Sequence, residues 1–138
     1  MSYNNPFSDA FKNTVDLNEL FSTHRRNIEA CSAANQAVVE GVQAITRRQS
    51  EVMREYVEQV LRASRDLLSS GTPETGLSRQ AEYTRGLIES AINNFREVTE
   101  MATKCGFEAF DVLNKRASES LDEISRASSA TGSRKKAA

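Results

Sequence analysis

The 138-residue sequence contains no tryptophan, two prolines, two cysteines and one histidine. With only 7% aromatic residues, the chain is not expected to build a thick hydrophobic core. No segment approaches the run of about 18 apolar residues that crosses a bilayer, so we expect no transmembrane helix. The net charge of −1 gives no overall attraction for nucleic acid or for an anionic membrane.

The scarcity of cysteine and histidine argues against catalytic and metal chemistry. His24 lies two helical turns from Cys31, and the sequence has no Glu-x-x-His pattern for a metal and no Gly-Lys-Ser/Thr for phosphate. We therefore predict a non-enzymatic protein with no catalytic residue, metal or cofactor. Cys31 and Cys105 are expected to be reduced thiols that pack as small hydrophobes; a disulfide between the two halves is the alternative.

The expected location is the cytoplasm. Reduced thiols are typical of that compartment, and residues 1–11 lack the basic and apolar regions of a secretory signal peptide.

The sequence does have a long, regular hydrophobic period. Apolar residues recur every three or four positions from residue 15 to 68, with no proline and with Gly41 as the single glycine. This period predicts one continuous helix over residues 15–69, about 80 Å long at about 1.5 Å per residue. The apolar stripe of this helix consists of Leu17, Phe21, Ile28, Val38, Val42, Ile45, Val52, Tyr56 and Val60.

A turn is predicted at residues 70–72. Gly71 can adopt the left-handed conformation that ends a helix, and Thr72 can cap a second helix that begins with Pro73. The second helix is predicted over residues 73–127. Its stripe includes Leu77, Ile88, Phe95, Val98 and Val112.

These elements predict an all-α fold, in which two long amphipathic helices form a hairpin and assemble as a coiled-coil-like oligomer. Residues 15–127 would form the helical domain. Residues 1–14 are expected to be a flexible lead-in, and residues 128–138 a disordered basic tail. Splayed helices remain an alternative to the hairpin, which we favour for the soluble form.

The stripe of the first helix keeps a spacing near 3.5 residues, which is the period of a coiled coil. Three polar residues, His24, Asn35 and Gln49, fall on this seam. A polar seam residue fixes register at a cost in stability, so three of them predict a weak or exchangeable interface. Pairs of opposite charge four residues apart, such as Glu58–Arg62, are expected to support the helices on their other faces.

Four segments of the first helix form a recognisable signature, namely Arg25–Ala30, Ala33–Ala37, Glu40–Ala44 and Arg47–Glu51. They resemble the phasins, small bacterial proteins that coat polyhydroxyalkanoate storage granules, and Gln80–Tyr83 and Leu113–Arg116 agree more loosely. The resemblance implies a non-enzymatic amphipathic coat protein on the surface of cytoplasmic polyester inclusions, which stabilises them and controls their size and number. It also implies the granule surface and the chain itself as partners, with a polyhydroxyalkanoate synthase or depolymerase as further candidates.

One other function fits the same hydrophobic pattern, namely a cytoplasmic coiled-coil oligomer that acts as a protein interaction or scaffold module. Apolar residues at helical spacing are more often ordinary helix packing than a surface-binding face. The basic residues Arg134, Lys135 and Lys136 are more typical of a solubilising tail than of a nucleic-acid site, so nucleic acid is not an expected partner.

Overall fold

The computed structural model describes residues 17–137, which form two α-helices and no strand. Helix α1 spans Leu17–Leu68 and helix α2 spans Pro73–Lys136. The predicted all-α hairpin of two long helices is confirmed. The predicted lead-in at residues 1–14 lies outside the described residues.

Helix α2 runs further than the sequence predicted. The prediction ended it at residue 127 and made the remainder a disordered tail, whereas the structure continues the helix to Lys136. Residues 128–136 contain no proline, and the hydroxyl of Thr131 donates to the carbonyl of Ala127 at 2.9 Å. The basic residues at this end also interact favourably with the negative end of the helix dipole.

Side chains cap the two helix ends that meet at the turn. Thr72 caps α2 as predicted, because its hydroxyl accepts the backbone N–H of Thr75 at 3.3 Å. Gly71 does not have the predicted left-handed conformation, since no described glycine has a positive φ. The final carbonyls of α1 are bonded instead by Ser70, which donates to the Leu67 carbonyl at 2.7 Å, and by Arg79, which donates to the Asp66 carbonyl at 3.0 Å.

The chain divides into two compact units. The terminal unit comprises Met1–Ala37 and Phe107–Ala138, and the turn unit comprises Val38–Gly106. In each unit a segment of α1 packs antiparallel to a segment of α2.

Small side chains make the closest contacts between the helices. In the terminal unit Ala34 is the one buried apolar residue within the described part of the chain. In the turn unit the Cys105 side chain fills the space beside Gly41, where a Cβ would lie 2.7 Å from the Cys105 Cβ. Residues without bulk let two helices approach closely, but they bury little apolar area.

The contact between the helices covers few side chains. Among the described residues only Ala34 and Arg116 are buried, and no large apolar side chain is fully buried. The apolar residues that make the helices amphipathic therefore remain largely uncovered.

Candidate surface-binding face

Large apolar side chains remain exposed along both helices. Phe95 is 75% exposed, Leu77 71% and Phe21 69%, although each belongs to a predicted stripe. The exposed members of the predicted stripes are Leu17, Phe21, Ile28, Val38, Val42, Tyr56, Leu77, Ile88 and Phe95. We call these nine residues, with the exposed Leu20, Met53, Ile92, Phe107, Phe110, Leu113, Leu121 and Ile124, the apolar face.

The remaining members of the predicted stripes are half-buried, and lie nearer the contact between the helices. They are Ile45, Val52, Val60, Val98 and Val112. The predicted stripes are thus divided between the contact of α1 with α2 and the exposed surface.

The exposed stripes of the two helices lie on the same side of each unit. At about 100° per residue, each stripe is centred roughly a quarter turn past the residues that face the other helix, in the direction of increasing residue number. Antiparallel helices have opposite rotational senses when viewed from one end. The same offset along both chains therefore brings both stripes to one side of the helix pair.

Ion pairs of α1 lie away from its exposed apolar stripe, whereas Arg85 and Glu89 of α2 lie beside Leu77 and Ile88. Arg25 pairs with Glu29 at 2.9 Å and Arg62 with Glu58 at 3.6 Å, and all four side chains are more than half exposed. Such pairs contribute about 0.2–0.5 kcal/mol each and keep long helices soluble on that side. In α1 the exposed apolar stripe and these ion pairs therefore lie on different sides of the helix.

The three predicted polar seam residues have different environments. His24 and Asn35 are exposed and take no part in the contact between α1 and α2. Gln49 is half-buried, and its Nε2 donates to Asn94 Oδ1 across the helix pair at 3.0 Å. Asn94 Nδ2 in turn donates to Gln49 Oε1 at 3.4 Å.

A polar cluster that the sequence analysis did not anticipate joins the helices of the terminal unit. Arg116 is buried, and its Nε donates to Asn27 Oδ1 at 2.7 Å while its NH2 donates to Glu123 Oε2 at 3.0 Å. Glu123 also accepts from Thr23 at 3.1 Å and pairs with Arg26. One signal was present in the sequence, because Arg116 follows Val112 by four residues and so continues an apolar stripe with a charge.

This cluster shifts the pKa values of Glu123 and Arg116. Hydrogen bonding from Arg116, then from Thr23, together with the charges of Arg116 and Arg26, holds the pKa of Glu123 below its ordinary value of 4.5. The hydrogen bond to Glu123 likewise raises the pKa of Arg116. An ionised Glu123 therefore favours this contact between the helices.

We expect acid to weaken the terminal unit through Glu123. Because its folded pKa is lowered, the stabilisation is complete above about pH 4.5 and is lost as the pH falls through the folded value. Thermal unfolding followed by circular dichroism between pH 7 and pH 3 measures this loss. In Glu123→Gln the melting temperature should be lower at pH 7 and should change less with pH; an unchanged pH profile would contradict the assignment.

Other kinds of site find no support in the described residues. No group of three or more His, Cys, Asp or Glu side chains within residues 17–137 is arranged to hold a metal ion. Within the same range, neither helix has a segment apolar enough to cross a membrane.

The sequence was compared with models of known protein families. The family model described as Phasin protein matches residues 18–117, which is most of the chain. The chain belongs to the phasin family. The predicted resemblance is confirmed, and this phasin is a structural, polyhydroxyalkanoate granule-associated protein. No curated protein and no solved structure matches it.

Proposed function

We propose that this phasin adsorbs directly to the polyester surface of the granule through its apolar face, and coats the granule so as to control its size and number. The observation that supports this is the position of the exposed stripes on one side of each unit, with the exposed ion pairs of α1 on a different side. An amphipathic helix binds a lipid surface in the same way, with its apolar side down and its charges in water.

The exposed side chains supply a large favourable contribution to adsorption. The nine exposed residues of the predicted stripes are each between 41% and 75% exposed. If each contributes about 1 kcal/mol on losing its remaining contact with water, the total is roughly 10 kcal/mol before the cost of immobilisation. The charged side then keeps the coated granule dispersed in water.

We further propose that soluble copies cover their apolar faces against one another in a homo-oligomer, and that the granule surface competes for the same faces. The small area buried within one chain supports this, because a single copy leaves its apolar face in water. Adding polymer particles should therefore lower the oligomer mass of the protein in solution and bring the chain to the particle. An oligomer that stays intact on the particle would contradict the exchange.

Purified protein and protein-free particles of poly(3-hydroxybutyrate) test the proposed adsorption. We expect saturable binding without any second protein, and a fluorescent fusion should form rings around inclusions in cells that make the polymer. A diffuse fusion, or rings that vanish when another granule protein is deleted, would favour the scaffold function instead.

A further inference from the structure

A groove interrupts the contact between α1 and α2 in the turn unit. It has a volume of about 740 Å³, which is within the range of about 300–1,000 Å³ typical of small-molecule sites. Met53 and Tyr56 of α1 and Ile88 and Ala91 of α2 line its apolar rim. We call this the central groove, and its apolar rim is continuous with the apolar face.

The hydrogen-bonded pair Gln49–Asn94 lies between the helices in the central groove. A primary amide carries two N–H donors, and each of these amides uses one of them on the other. One N–H of each therefore bonds to no other described residue. Both amides line the central groove together with the residues of its apolar rim.

The other rim of the central groove has an excess of negative charge. On this rim Arg48 bonds to Glu97 at 2.9 Å and to Glu55 at 3.4 Å, so one guanidinium faces two carboxylates of the groove lining. This excess repels a fatty-acid anion or an anionic lipid headgroup. A ligand suited to the groove is uncharged, mostly apolar, and able to accept hydrogen bonds.

We propose that the central groove binds one segment of a neutral aliphatic polyester chain, whose ester carbonyls accept hydrogen bonds from Gln49 and Asn94. Such a chain has acceptors and apolar carbons but no donors along its length, and so complements both the rim and the amides. This inference rests on the proposed function, since it adds a site for an individual chain to a face that adsorbs to the bulk polymer. The proposed site also accounts for the polar pair Gln49–Asn94 between the helices, where two apolar residues would pack equally well.

The test uses the full chain and an end-capped trimer of 3-hydroxybutyrate, acetylated at its hydroxyl and methylated at its carboxyl. In NMR titrations we expect the side-chain amide signals of Gln49 and Asn94 to shift on addition of the trimer. The double variant Gln49→Leu/Asn94→Leu should bind the trimer at least tenfold more weakly. The matched control Gln43→Leu/Asn114→Leu changes an exposed glutamine and an exposed asparagine, and should bind as the unaltered chain does.

Three results would overturn the inference: amide signals that do not move, equal binding by the double variant and its control, or dodecanoate that binds as tightly as the neutral trimer. Helical content measured by circular dichroism shows whether the double variant is folded. If it is not, the titration of the unaltered chain alone decides. Adsorption of the unaltered chain to polymer particles separates the two proposals. If the chain binds particles but not the trimer, only the groove proposal is rejected. If the chain does not bind particles, the proposed function is rejected.

Discussion

Replacing Val42 and Phe110 with glutamate should reduce the affinity for polymer particles by more than about a hundredfold. Val42 is 55% exposed and Phe110 61%, and both belong to the apolar face. Each substitution removes an apolar contact of about 1 kcal/mol or more and places a carboxylate against polyester, where it would lose part of its hydration. Together these costs amount to about 3 kcal/mol or more, which corresponds to that change in affinity.

The matched control is Gln43→Glu/Ser118→Glu, which adds the same two charges to the same two helices at exposed positions away from the apolar face. It should adsorb almost as well as the unaltered chain. Sedimentation of the particles with bound protein measures both affinities, and circular dichroism checks that both variants remain helical. Equal losses in the two variants would mean that added charge, and not the apolar face, governs adsorption.

Replacing Gly41 with alanine should destabilise the turn unit although alanine is the better helix former. The change gains about 1 kcal/mol of helix propensity. The new Cβ would lie 2.7 Å from the Cys105 Cβ, and because both atoms are fixed to their backbones the two helices must separate. Overpacking of this kind costs about 1–3 kcal/mol, so we expect a net loss of up to about 2 kcal/mol.

Gly106→Ala is the control, since an added Cβ at that position meets nothing within 4 Å. It should gain stability by up to about 1 kcal/mol. The double variant Gly41→Ala/Cys105→Gly has its side chain on α1 and its glycine on α2, and should recover part of the loss. Urea unfolding of the four proteins measures these differences, and equal stabilisation by both alanine variants would show that α1 and α2 do not approach closely at Gly41.

The sequence by itself determined the extent of α1 and the start of α2. The unbroken hydrophobic period, the absence of proline between residues 17 and 68, and the Thr72–Pro73 start of α2 act through local interactions, so the sequence was sufficient to predict them. The same period showed that the helices are amphipathic. The segments that carry most of the family resemblance lie in α1, and recognising them required no knowledge of how the two helices pack; the family model matches residues 18–117.

The tertiary structure decided which residues face the other helix. The hydrophobic period was compatible with a contact through Phe21, His24 and Ile28, yet all three are exposed, while Ala34 and Gly41 lie between the helices. Small residues carry almost no hydrophobic signal in a sequence, but they allow the close approach that antiparallel helices need.

Contacts between residues far apart in the chain were equally beyond the sequence. Arg116 bonds to Asn27, and Gln49 pairs with Asn94, although the two partners in each pair lie far apart in the sequence. Hydrophobic periodicity fixes the faces of each helix but not the register between two helices, so only the packed structure brings these partners together. The local pattern therefore determined that the chain has an apolar stripe, and the packing of α1 against α2 determined that much of the stripe stays exposed.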